Sequence, residues 1–157
     1  MVVHGISLPP GEFGGPEIGQ LFLNQLDWDA HPYFSEIRGM QVSAHLLIRR
    51  DGAVLQFVPL NRRAWHAGES AFRGVSRCND YSIGIELEGE DHIEYTDDQY
   101  EALTGIVIAM MAAIPGLNAR QIAGHCDIAP GRKKDPGPAF DWLRLYDGIA
   151  SQNSGAV

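Results

Sequence analysis

The chain has 157 residues, 45% hydrophobic and 20% charged, with a formal net charge of -8. That length suits one domain with a real core, and the composition is that of an ordinary soluble globular protein. The acidic balance argues against a nucleic-acid partner, no apolar run approaches membrane-spanning length, and two cysteines, Cys78 and Cys126, make no disulfide framework.

The N-terminus carries no basic region followed by an apolar run, so it does not read as a secretory signal. A cytoplasmic protein with reduced thiols is the expectation. Met1-Val2-Val3-His4 reads as the end of a buried strand with a histidine at its tip. A domain rarely opens in its core, so a further segment is expected upstream. LPPGEFGGP, residues 8–16, is a loop by its Gly and Pro content. Glu17 to Leu26 places Ile18, Leu21, Phe22 and Gln25 at helical spacing. DWDAHPYF is turn-like.

SAHLLIRR, then Asp51-Gly52, then AVLQFVPL predicts a β-hairpin with a type I′ turn. NRRAWHAGESAFRGVSRCND, residues 61–80, shows no period and reads as a long functional loop, with Trp65, His66 and Phe72 arguing against disorder. YSIGIELEGE, residues 81–90, alternates Ile83, Ile85 and Leu87 with Ser82, Gly84, Glu86 and Glu88, the pattern of a strand. Thr96 with Gln99 makes a capping box. The helix it opens runs to about Ala113 on a stripe of Tyr100, Leu103, Ile106, Val107, Met110 and Met111, and Pro115-Gly116 stops it. QIAGH is the next strand, and Phe140 to Ile149 a final short helix. The domain is taken as residues 1–150, with 151–157 as a mobile tail. Strands mixed with helices predict an α/β domain, a mixed central sheet flanked by helices.

GHCDIAPGRKKDPGPAFDW, residues 124–142, concentrates the chemistry. His125 follows the short apolar run, and Asp135 precedes Pro136 on a segment where Pro136 and Pro138 bar a helix. An imidazole at a strand end and a carboxylate on a stiff loop can converge on a metal ion; a solvated charged loop is the competing reading. His4 and His125 both end strands, where ligands gather at a sheet edge. His31 and His92 read as solvated, His45 as structural, and His66 as a substrate contact or a packed histidine. Cys126 reads as a small packed residue. Glu86 lies between Ile85 and Leu87 and needs a salt bridge, an exposed face or a catalytic task with a raised pKa. Glu88 reads more simply as surface charge. In an extended segment Lys133 and Asp135 point the same way, so Lys133, not Lys134, is the inward cation suited to an oxyanion.

These motifs resemble those of the zinc-dependent N-acetylmuramoyl-L-alanine amidases of the AmpD type, in the amidase-2 group. That group shares its fold with peptidoglycan recognition proteins. The resemblance runs from VVHGISLPPGEFGGP through SAHLLIRRDG, RAWHAGES, CNDYSIGIELEG and YTDDQY to GHCDIAPGRKKDPGPAFDW, nearly the whole chain. It implies zinc (Zn2+) ligands at His4, His125 and Asp135, a catalytic glutamate at Glu86 and a catalytic lysine at Lys133. It implies a cytoplasmic enzyme of peptidoglycan recycling in a Gram-negative bacterium. The substrate would be a small molecule, a 1,6-anhydro-N-acetylmuramyl peptide, cut between the lactyl group and L-alanine by a monomer with no nucleic-acid or membrane partner. The loop from Arg62 to Arg77 is expected to line the groove, with Trp65, His66, Arg62, Arg77 and Arg132 as substrate contacts. Two departures stand out: family members usually carry some tens of residues before the first ligand strand, and Gly5 replaces an Asn. A muropeptide-binding module without hydrolysis, and a secreted wall lysin, are the alternatives.

Overall fold

Ile85 and Leu87 alternate with Gly84, Glu86 and Glu88, and the segment they form is buried on both faces at the middle of a five-stranded sheet. The computed structural model describes residues 1–154, with side chains to Ser151. In chain order the elements are strand β1 (Val2–Ile6), helices α1 (Glu17–Phe22) and α2 (Pro32–Glu36), and strands β2 (Leu46–Ile48), β3 (Val54–Gln56), β4 (Ala71–Phe72), β5 (Val75–Ser76) and β6 (Gly84–Glu88). Helix α3 (Asp97–Ala113), strand β7 (Ala123–Gly124) and helices α4 (His125–Ile128) and α5 (Trp142–Ser154) follow. The sheet order is β3-β2-β6-β1-β7, with β3 antiparallel to β2 and every other pair parallel. The expected mixed sheet flanked by helices is the observed fold.

One face of the sheet is apolar. Val3, Leu46, Ile48, Ile85 and Leu87 pack there against Leu103, Val107 and Met110 of α3 and Leu145 and Ile149 of α5. Each such side chain, fully buried, contributes about 1.5–3 kcal/mol relative to exposure. The opposite face is divided. Leu47 joins Ile18, Leu21, Phe22 and Phe34 in a second cluster, and Val2 joins Ala67, Cys78, Ala123 and Ile128 in a third. His4 and Glu86 stand between them, paired across neighbouring strands.

The capping box at Thr96 and Gln99 forms as expected, and Gln99 does more than cap. It is fully buried, and its amide N–H groups donate to Glu88 O (2.9 Å) and Ile48 O (3.2 Å), tying α3 to the ends of β2 and β6. Gln99→Leu keeps the volume and orphans both carbonyls. It should cost about 1–3 kcal/mol per orphaned group, read as a lower urea midpoint.

Several local expectations are corrected. The β2–β3 turn is not type I′, because Asp51 keeps a negative φ and only Gly52 (φ 78°) is left-handed. Gly52 N–H donates to Arg49 O and Arg49 N–H to Ala53 O, a type I turn closed by a glycine bulge. DWDAHPYF is not only a turn: Pro32 starts α2, and His31 caps it by accepting from Tyr33 N–H (3.2 Å). Helix α1 ends at Phe22, leaving Gln25 exposed and Leu26 buried. The long loop contains the β4–β5 hairpin. Helix α5 runs to Ser154, past the expected end at Ile149, and residues 155–157 lie outside the described part.

Candidate active site

Strand pairing builds the site. His4 is the third residue of β1, not its tip, and lies beside Glu86 of β6. β7 pairs with β1 on the other side, bringing Gly124 beside Val3. His125, the next residue, opens α4 and does not end the strand. The segment carrying Asp135 is not extended. Lys133 N–H donates to Ala129 O, Gly137 N–H donates to Lys134 O, and Asp135–Pro136 is a cis bond inside the second turn. The prolines exclude a helix but not a turn. Lys133 and Asp135 still line one groove together and Lys134 does not line it, although the alternation that suggested this does not apply.

Three donor atoms converge. His4 Nδ1 lies 2.9 Å from His125 Nδ1 and 3.1 Å from Asp135 Oδ2, and His125 Nδ1 lies 3.0 Å from the same oxygen. Ligands about 2.0–2.1 Å from a tetrahedral zinc stand about 3.3 Å apart, slightly wider than found here. The chemistry of the donors also fits a cation. His125 Nε2 lies 3.1 Å from Ala67 O, and a carbonyl only accepts, so that nitrogen carries the proton and Nδ1 is a bare lone pair. Arg132 Nη2 approaches the same nitrogen at 3.4 Å only because it donates to the same carbonyl at 2.6 Å. Two imidazoles and a carboxylate therefore aim lone pairs at one point. Among the described residues, these three form the group able to hold a metal ion.

The electrostatics agree. Burial pushes the His4 pKa down to about 4, outweighing the hydrogen bond to Asp135, so the ring is neutral and available as a ligand. Asp135 is held below its usual range: burial opposes this, but the neighbouring His125 and His4 rings favour the ionised carboxylate and prevail. Glu86 is pushed well above the ordinary carboxylate value, first by burial and then by the Asp135 charge, with Lys133 pulling the other way. Glu86 Oε1 is 4.0 Å from His4 Nδ1, and Oε2, among the described residues, is the buried side-chain polar atom with no hydrogen-bond partner.

Glu88 is the sharpest correction to the sequence reading. It is 1% exposed, against 8% for Glu86, and is not surface charge. Its carboxylate accepts from Gly14 N–H (2.6 Å) and Arg50 N–H (3.2 Å) and faces Arg49 at 3.9 Å. It anchors the 8–16 loop, where Leu8 and Pro10 border the groove.

The groove encloses about 530 Å³. Its lining combines polar Glu86, Lys133, Glu90, Asp91 and His92 with apolar Phe22, Tyr33, Ile37, Met40 and Val42. Sequence reasoning missed most of the apolar lining, because Tyr33, Ile37, Met40 and Val42 come from the DWDAHPYF region and the stretch after it, which show no clear period; Phe22 lies on the predicted first helix. Trp65 and His66 reach the groove, whereas Arg62, Arg77 and Arg132 do not line it. Arg77 pairs with Asp80 at 2.9 Å, and the Arg132 guanidinium is committed to the carbonyls of Ala67 and Glu69. Trp65 is 56% exposed under the Arg63 guanidinium, 3.7 Å from the ring centre, and Arg63 is held by Asp80 at 2.8 Å. His66 is buried, and His45 is structural as expected, accepting from Gly84 N–H and donating to Arg62 O. At Gly5 an added Cβ would collide with the Tyr95 hydroxyl, which donates to Pro136 O at 2.9 Å beside Asp135.

Residues 2–138 match the family model described as N-acetylmuramoyl-L-alanine amidase, Amidase_2. The 1,6-anhydro-N-acetylmuramyl-L-alanine amidase AmpD of Escherichia coli strain K12 is 59% identical over 145 residues, 92% of this chain and 79% of that protein. A crystal structure of a selenomethionine AmpD derivative superposes with a TM-score of 0.92 at 56% identity, covering 94% of this chain and 82% of that one. The amidase AmiD of Escherichia coli, solved with anhydro-N-acetylmuramic acid-L-Ala-D-γ-Glu-L-Lys, superposes with a TM-score of 0.67 at 30% identity, covering 94% of this chain and 55% of that one. The chain belongs to the Amidase_2 family of N-acetylmuramoyl-L-alanine amidases. It is an amide-hydrolysing enzyme.

Proposed function

We propose that this enzyme hydrolyses the amide between the lactyl group of muramic acid and L-alanine in 1,6-anhydro-N-acetylmuramyl peptides, as a zinc enzyme of peptidoglycan recycling. The observation that carries this reading is the buried, unpartnered Glu86 oxygen beside a convergent His4, His125 and Asp135. Identity to AmpD and the muropeptide bound by AmiD support the substrate class. We further propose a cytoplasmic monomer in a Gram-negative bacterium. Both cysteines are free thiols, as suits a reducing compartment. No helix among the described residues is long and apolar enough to cross a membrane.

His4 Nδ1, His125 Nδ1 and Asp135 Oδ2 would hold the zinc. When bound, zinc supplies Lewis acidity to the scissile carbonyl and the attacking water. Glu86 takes the water proton on a carboxylate oxygen and returns one to the leaving L-alanine nitrogen. Burial, which raises its proton affinity, favours that return, while the Lys133 charge pulls towards the ionised form that the first step needs. Lys133, which lines the same groove, stabilises the oxyanion, an effect of about 3 kcal/mol for a single well-placed donor. Trp65, exposed at the groove with Arg63 over its ring, offers apolar contact to a sugar or peptide. A module that only binds would gain nothing from an unpaired buried carboxylate, which costs stability.

The substrate claim has its own test. Turnover per enzyme should be higher on soluble anhydro-muropeptide than on intact sacculi, measured as released peptide. Equal or faster release from sacculi would make the protein a wall lysin and leave its zinc chemistry standing.

A further inference from the structure

The nitrogens of His4 and His125 that face away from the metal point both meet one dipeptide. His4 Nε2 lies 2.9 Å from His66 Nδ1, and His125 Nε2 lies 3.1 Å from Ala67 O. Both backbone N–H groups of that dipeptide donate to Asn79 Oδ1, at 3.0 and 2.8 Å, so one buried amide holds the pair in place. The His66 ring lies directly over Gly84 of β6, where any Cβ would collide with it. Its other nitrogen, Nε2, is 3.3 Å from Ser82 Oγ, and that hydroxyl donates to Cys78 O at 2.6 Å.

The proton positions follow from the chain's end. Cys78 O only accepts, so the Ser82 hydroxyl hydrogen is spent on it and Ser82 Oγ is left to accept. His66 Nε2 then carries the hydrogen, and in a neutral ring Nδ1 is the acceptor. His4 Nε2 must donate to it, which leaves His4 Nδ1 as a lone pair directed at His125 and Asp135.

We infer that His66, with Ala67, is a positioning clamp that fixes both histidine ligands in the Nδ1-coordinating form, and is not a substrate contact. This rests on the reading of His4, His125 and Asp135 as the zinc ligands. Partners of this kind typically change metal affinity 10–100-fold when removed. A Phe at position 66 fills the ring's place over Gly84 but offers no acceptor. An Asn places its Oδ1 where the imidazole Nδ1 stood.

The test is zinc affinity, measured by competition with a chromophoric chelator, on the wild type, His66→Phe and His66→Asn. His66→Phe should bind zinc about 10–100-fold more weakly, and His66→Asn should recover most of the loss. Unchanged affinity in His66→Phe, or equal loss in both variants, would overturn the clamp. If His66→Phe does not fold, the wild type decides: long-range 1H–15N spectra of the zinc-loaded protein should show His4 protonated at Nε2 and His66 bare at Nδ1. The opposite tautomer on either ring overturns the inference. A wild type that takes up no zinc removes the ligand assignment and the clamp together, whereas one zinc bound with no effect of His66→Phe removes the clamp alone.

Discussion

Glu86→Gln should lower turnover of anhydro-muropeptide by about 100- to 10,000-fold, the usual range for loss of a general acid–base group. Zinc content should stay at one per chain, because Glu86 is not among the converging donors. The same variant should be more stable than its parent near neutral pH, before zinc is added. Burial and the Asp135 charge raise the folded-state pKa of Glu86 well above its ordinary 4.5. The folded protein therefore binds more protons than the unfolded one, and stability falls as pH rises from 4.5 towards the folded value. The advantage of Gln should appear across that window and vanish below 4.5, read from denaturation midpoints at several pH values. Glu88→Gln should behave differently. It keeps one acceptor oxygen where Glu88 uses its carboxylate for Gly14 and Arg50, so it should lose about 1–3 kcal/mol of stability and far less activity. A dead Glu88→Gln beside a fully active Glu86→Gln would assign the wrong base.

The second large effect is expected at the metal. His125→Ala leaves His4 Nδ1 and Asp135 Oδ2 without their third partner, 3.1 Å apart. Two protein ligands do not make a catalytic zinc site, which keeps three and one open position. The variant should lose tightly bound zinc on dialysis against a chelator, and activity with it. Thermal unfolding gives a second reading. A ligand bound only by the folded state, present at 1,000 times its dissociation constant, stabilises by about 4 kcal/mol. Zinc should raise the wild-type midpoint and leave that of His125→Ala in place. A full equivalent of zinc retained by His125→Ala would refute the ligand assignment.

Much of the site was legible because its residues sit where periodicity is strong or prolines stand close. The alternation around Glu86 marked a strand with a misplaced acid, and β6 is that strand. Thr96 and Gln99 marked the start of α3. Where pairing or turn geometry decides, sequence was a weaker guide. Glu88 read as surface charge because alternation tells which face a residue is on, not what covers that face; the 8–16 loop covers it. That the loop residue His66 reaches His4, 62 positions earlier, is announced by nothing local in the sequence. The Arg residues of the 61–80 loop looked suited to carboxylates, yet Arg77 is engaged by a near neighbour, Asp80. Lys133 was singled out by an alternation that the turns at 129–137 do not have.

The most direct test of the account is product analysis in 18O-labelled water with purified protein and anhydro-muropeptide. Mass spectrometry should find one labelled oxygen in the lactyl carboxylate of the anhydro-sugar, and an unlabelled peptide with a free L-alanyl amine. The reaction should stop on chelation and return with one equivalent of zinc. An intact muropeptide, label in the peptide half, or full turnover by zinc-free protein would contradict it.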